Sequence, residues 1–204
     1  MPFCKPFEGE TKMTRIPRFL LSVIVLAACS STSHASLIQY AAFLNGPSES
    51  PPNASPGTGT ASVDYNDVAH TLHVHVDFQD LLGTTTASHI HAATALPGTG
   101  TAGVATQLPS FVGFPLGVTS GTFDNTLDLT QASSWNPSYV TNNGGTTASA
   151  EAALAAAMAG DRAYLNIHTT VVPGGEIRGF LLPVPEPTTL GLMGLGALLL
   201  IRRR

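Results

Sequence analysis

From Thr71 to Phe78 the chain alternates strictly, with Leu72, Val74, Val76 and Phe78 on one face and His73, His75 and Asp77 on the other. Successive side chains of an extended backbone point to opposite sides, so this pattern predicts a strand with one buried face. Comparable short runs occur at Leu37 to Leu44, Thr60 to Tyr65, Ala87 to Ala92, Gly103 to Leu108, Gly121 to Leu129, Ala163 to Thr169 and Ile177 to Leu182, parted by Gly, Pro, Asn and Ser clusters. About eight short strands at this spacing predict an all-β domain, an antiparallel β-sandwich or flattened barrel rather than a parallel α/β fold. One segment breaks the pattern. Ser149 to Ala159 is nearly all alanine, with Leu154 and Met158 four apart. It predicts one short Ala-rich helix across an end of the domain, capped by Ser149, with Glu151 in its first turn and Gly160 at its close.

Both ends of the chain read differently. A polar stretch carrying Lys5, Lys12, Arg15 and Arg18 leads into an apolar run from Phe19 to Ala28 and then small residues to Ala35. That is the order of a secretory signal peptide over residues 1–35, with Met13 as an alternative start, and Ser33 and Ala35 predict a signal-peptidase cut before Ser36. Leu26-Ala27-Ala28-Cys29 offers a competing lipobox reading, in which Cys29 becomes a lipidated first residue. At the other end Val184-Pro185-Glu186-Pro187 precedes an uncharged run from Thr188 to Ile201 and then Arg202-Arg203-Arg204. At about 1.5 Å per residue this run reaches roughly 21 Å, short of a hydrocarbon core of about 30 Å, and Gly191, Gly194 and Gly196 weaken its helix. It suits a short transmembrane helix of temporary use. Terminal arginines stay cytoplasmic, which places residues 36–183 across the inner membrane, as the leader also requires.

That middle segment, residues 36–183, holds no Lys, two Arg (Arg162 and Arg178) and ten Asp and Glu, a formal net charge of −8. Without a basic stripe to neutralise phosphates it excludes nucleic acid as a partner, and an anionic membrane surface is repelled. Membrane contact is therefore expected only through the C-terminal tail before processing. Both cysteines, Cys4 and Cys29, precede residue 36. The exported domain must hold together by packing, with no disulfide.

Candidate chemistry rests on histidine. Residues i and i+2 of a strand share a face about 6.5–7 Å apart, so a His-x-His pair can turn two imidazoles toward one metal ion. His89-Ile90-His91 is such a pair, and His168 lies in a strand where Tyr164, Asn166 and His168 face away from Ala163, Leu165 and Ile167. Together His89, His91 and His168 would offer three neutral nitrogens and an open position, suited to Cu(II) or Zn(II). The competing reading has the same histidines bonding backbone groups and holding loops. His73 and His75, beside Asp77, are expected to be solvated. There is no Gly-x-Ser-x-Gly elbow and no cysteine after residue 36, so no catalytic residues are expected and the chain reads as non-enzymatic. Asp64-Tyr65-Asn66-Asp67 reads as a turn rather than a calcium loop. The hexapeptide Pro-Gly-Thr-Gly-Thr-Ala recurs at Pro56 to Ala61 and Pro97 to Ala102, and no helical pattern follows either copy; a reused turn into a strand fits better than a phosphate loop.

Four blocks resemble the CHRD domain, the module named from chordin. They are Phe43-Leu44-Asn45-Gly46 with Glu49 and Pro51-Pro52; Ser88-His89-Ile90-His91 trailed by Gly98, Gly100 and Gly103-Val104; the weaker Gly117 to Phe123; and Tyr164 to Thr169 followed by Pro173-Gly174-Gly175-Glu176-Ile177-Arg178-Gly179. The last block carries the most specific positions, Asn166, His168, Thr169, Gly174, Gly175, Glu176, Arg178 and Gly179, and reads as hairpin chemistry, with Pro173-Gly174-Gly175 as its turn. Departures are Ala92-Ala93, where a glycine is common, and the long Asn125-to-Gly160 insertion. The resemblance implies a secreted β-domain and brings no catalytic residues. A fainter similarity is to the Cu/Zn superoxide dismutase sandwich, although that family's cysteine pair and zinc loop are missing here. The tail, with Val184, Pro185, Glu186, Pro187, the glycine-bearing helix and Arg202, Arg203 and Arg204 in order, resembles the PEP-CTERM sorting signal of Gram-negative bacteria. It implies processing by an exosortase-type membrane protease and delivery to the cell surface, the outer membrane or an extracellular polysaccharide matrix. An extracellular polysaccharide or a surface protein is then the expected partner.

Overall fold

Strands β1 (Leu37–Asn45), β2 (Thr58–Asn66) and β3 (Thr71–Gln79) run as an antiparallel meander in the computed structural model, which describes residues 37–185. The expected leader over 1–35, residues Glu186 and Pro187, the apolar run and the three terminal arginines lie outside the described residues. Each meander strand buries alternate positions. In β3 these are Leu72, Val74, Val76 and Phe78, as the alternation requires. The turn between β2 and β3 falls at Asp67 to His70, where the Asn66 carboxamide oxygen accepts from the Val68 and Ala69 amides.

Further strands are β4 (Thr85–His91), β5 (Gly121–Asp128), β6 (Tyr164–Thr169), β7 (Ile177–Phe180) and β8 (Leu182–Pro183). All eight join one curled, half-barrel antiparallel sheet in the order β4-β6-β7-β1-β2-β3-β5, with β8 also pairing β1. The expected all-β antiparallel class holds, as one sheet curled on itself around the core. Leu44, Val63, Val74, Ile90, Leu165 and Ile177 are fully buried there, each contributing about 1.5–3 kcal/mol of burial.

Between β5 and β6 the chain turns helical. Helix α1 (Pro137–Asn142), which the pattern did not predict, is capped by Asn136, and its Tyr139 stacks on the buried Trp135. Helix α2 (Thr147–Ala159) is the expected Ala-rich helix, but its cap is Thr146 rather than Ser149. Ser149 sits at the third helical position, returning a bond to the Thr146 amide while Thr146 accepts from the Ser149 amide, and this reciprocal pair starts the helix one turn earlier. Buried Leu154 and Met158 anchor α2 on the core. Its Glu151 carboxylate, also buried, accepts from the Tyr65 hydroxyl and meets His70 Nδ1, both at 3.0 Å.

A second correction concerns Gly103 to Leu108. It forms only isolated bridges, Val104 to His91 and Thr106 to Trp135, because its polar groups are divided among several partners. The Ala105 amide donates to Ile90, while the Val104 and Ala105 carbonyls accept from Asn136. At the other end of the domain the last strand closes on the first. Tyr40 faces Pro183, and the Val184 amide donates to the Gln39 carbonyl at 2.8 Å, so the fold runs into the residues of the tail motif.

Candidate functional site

Antiparallel pairing of β4 with β6 sets His89 opposite Asn166 and His91 opposite Tyr164. Ile90, Leu165 and Ile167 project into the core. The reverse face carries His89, His91, Tyr164, Asn166 and His168 under the loops that follow β1, β4 and β6. Those loops bury what the alternation alone would leave exposed: His89 and His91 are 5% and 8% exposed, and Asn166 is 3%.

Each of the three histidines uses one ring nitrogen on a loop carbonyl. His89 Nε2 lies 2.6 Å from the Pro109 oxygen, His91 Nδ1 2.9 Å from Ala102 and His168 Nδ1 2.9 Å from Pro173. A carbonyl only accepts, so each of these nitrogens carries the hydrogen. The opposite nitrogen of each neutral ring is a bare lone pair. Those three atoms, His89 Nδ1, His91 Nε2 and His168 Nε2, are buried without a hydrogen-bond partner. The rings converge, with centroids 5.8 Å (His89 to His91), 5.3 Å (His89 to His168) and 6.0 Å (His91 to His168) apart. One nitrogen from each lies within 4.8 Å of those of the other two. Burial holds all three imidazoles below their ordinary titration value, His91 furthest, at about 4. Backbone bonding and convergence of the three rings thus occur together.

Around the triad the hairpin residues act as a frame. The His91 ring stacks on Tyr164 at 4.8 Å, and the Arg178 guanidinium also lies over the Tyr164 ring, 4.7 Å from its centroid. Arg178 donates to the Ser48 and Gly100 carbonyls and faces Glu49 at 3.8 Å. Burial lifts the Glu49 carboxyl to about 7 against the opposing pull of Arg178. Gly175 has φ of +130°, and a Cβ there would fall within 2.8 Å of both Asn166 and Glu49, so only glycine closes this turn. Glu176 is fully buried and accepts from the Ser55 and Thr169 hydroxyls and from the Leu82 and Gly83 amides. Burial alone would raise its carboxyl, but these donors outweigh it and hold it below the ordinary value. Gly179 lets the Phe43 backbone pass where a Cβ would clash. The backbone anchors Ala102, Pro109 and Pro173 carry no side-chain signature; of the three, only Pro173 belongs to a segment whose role the sequence indicated.

His73 and His75 lie on the outer face of β3, as expected. Asp124 meets both, at 3.1 Å and 2.9 Å, Asp77 meets His75 at 3.1 Å, and the Thr122 hydroxyl donates to Asp77. The bond to Asp124 raises the His75 value despite slight burial. A surface groove of about 930 Å³ passes His75 and Phe43 and includes none of the buried triad.

A curled antiparallel sheet with a buried polar face under its loops defines the class as an all-β domain. The CHRD domain family model matches residues 40–181, and the chain belongs to that family. A PEP-CTERM protein-sorting motif matches residues 183–204, so the chain is an exported protein, anchored in the membrane before processing by an exosortase-type protease. Neither family is enzymatic. No curated protein and no solved structure matches the chain. Among the described residues no helix is long and apolar enough to cross a membrane.

Proposed function

We propose that this chain delivers a rigid, non-catalytic CHRD domain to the cell surface or the surrounding polysaccharide matrix, where it acts by binding or by structural contact. The observation that carries the reading is the bond from the Val184 amide to the Gln39 carbonyl. With the fold complete at the first residue of the sorting motif, removal of the tail releases a finished domain. Leader cleavage after Ala35 likewise falls just before β1. The acidic character of residues 36–183 keeps the released domain off anionic membrane surfaces.

Fractionation of cells that produce the chain with an internal epitope tests this reading. The intact chain should collect in the inner membrane when the exosortase-type protease is absent, and a shortened, tail-free form should reach the surface when it is present. Residues 36–183 made with the leader but without the tail should appear as a soluble periplasmic form. Retention of the intact, uncut chain in the inner membrane of protease-proficient cells would refute the delivery role.

A further inference from the structure

Among the described residues, His89, His91 and His168 are the group of His, Cys, Asp or Glu side chains that converges to metal-ligand distance. One nitrogen of each ring is committed to a carbonyl, the other is buried without a partner, and the rings converge with one nitrogen of each within 4.8 Å of those of the other two. Such an arrangement is unfavourable unless something accepts those lone pairs. A single buried water has two hydrogens and can serve two of them, leaving the third unpaired. Protonating one ring would require a buried cation between two others held neutral by the same burial. A metal cation satisfies all three at once.

We infer that His89 Nδ1, His91 Nε2 and His168 Nε2 form a binding site for a divalent cation of the Cu(II) or Zn(II) class. The donor set selects that class: three imidazoles suit these ions, whereas Ca(II) and Mg(II) require oxygen ligands. The three loop carbonyls fix tautomer and ring orientation, the usual task of an outer partner on a metal-bound histidine. At bonds of about 2.0–2.1 Å, two tetrahedrally placed nitrogens sit about 3.4 Å apart, so nitrogens already within 4.8 Å of one another need only a small inward shift to bind. Three protein ligands leave a fourth position for water or an exogenous anion. The ion would also cross-link β4 to β6, in a domain whose sequence has no cysteine after residue 36. This inference concerns the domain itself and stands apart from its route of delivery, so the titration below can fail while the sorting experiment succeeds, and the reverse.

The test is calorimetric titration of the full, untagged chain in detergent, stripped with a chelator, with Cu(II), Zn(II) and Ca(II) in separate arms. One equivalent of Cu(II) or Zn(II) should bind and raise the melting temperature, Cu(II) the more tightly, with Ca(II) giving no binding at the triad. Cu(II) should show nitrogen hyperfine structure in electron paramagnetic resonance. His89→Ala, His91→Ala and His168→Ala should each weaken binding by more than about 100-fold, beyond the loss expected from removing an orienting partner. His168→Gln, which keeps a donor for Pro173, guards against misfolding: it should retain the wild-type circular dichroism spectrum and still lose affinity. The double variant His73→Ala/His75→Ala should bind as the wild type does. Absence of stoichiometric binding, binding that survives in folded His168→Gln at full strength, or binding lost only with the outer pair would overturn the site.

Discussion

The chain contains two His-x-His pairs of identical spacing and opposite chemistry. His73 and His75 stand on the outer face of β3, where Asp64, Asp77 and Asp124 from three strands surround them. His89 and His91 stand on β4 beneath loops, where carbonyls take one edge of each ring and no side chain takes the other. What separates the pairs is the covering, which the strand itself does not specify. A central strand open to solvent acquires carboxylate neighbours, whereas an edge strand roofed by Pro- and Gly-rich loops acquires backbone carbonyls. Only the second arrangement leaves buried ring nitrogens without a partner.

That contrast can be broken most severely through the frame of the inner pair. Glu176→Ala strands four donors at the hairpin base and should lose about 3–5 kcal/mol of stability in urea titration, with collapse of the His89 and His91 ring signals; a loss under about 1 kcal/mol would mean that the loops are held by other contacts. Next, His91→Ala removes a buried ring stacked on Tyr164 and should lose about 2–4 kcal/mol, against less than about 0.5 kcal/mol for His75→Ala on the surface. Equal effects would erase the distinction between the pairs.

Titration offers a finer comparison. The inner histidines have folded values below the unfolded one, so the unfolded chain binds more protons and stability falls as pH drops from about 6.5 toward the His91 value of about 4. His75 has the opposite sign: its raised folded value favours the native state below the unfolded pKa, and that contribution fades as pH rises through the folded value. Proton-detected imidazole shifts should therefore show His75 titrating above, and His91 well below, a free histidine. The smallest effect belongs to Asp124→Asn, which should return His75 toward the ordinary value, leave stability close to that of the wild type, and leave the inner shifts unmoved.

Much of the fold was legible because alternation reports burial directly: β3 falls where Leu72, Val74, Val76 and Phe78 place it. The hexapeptide repeat shows where such reading stops. In its first copy Gly57 and Gly59 lie extended, pressed against Leu81 and the Asp77 carbonyl, and lead into β2. In the second, Gly98 and Gly100 take positive φ in open space, and the segment directly after them forms only isolated bridges. Identical residues adopt different backbones because neighbouring layers decide. The candidate site divides in the same way. The choice of His89, His91 and His168 followed from strand periodicity, and the hairpin positions followed from their motif. The anchors at Ala102 and Pro109 were hidden, since a backbone carbonyl has no residue identity.

The closure of the last strand onto the first also sets where the chain leaves the domain. The row from His89 through Asn166 and Arg178 meets β1 at Asn45, whereas the chain leaves toward its tail beside Gln39. Six residues of strand, about 20 Å, separate the two. The histidine row and the point where the chain leaves for its sorting motif therefore lie toward opposite ends of β1, so a cut beyond Val184 removes no residue that pairs with that row.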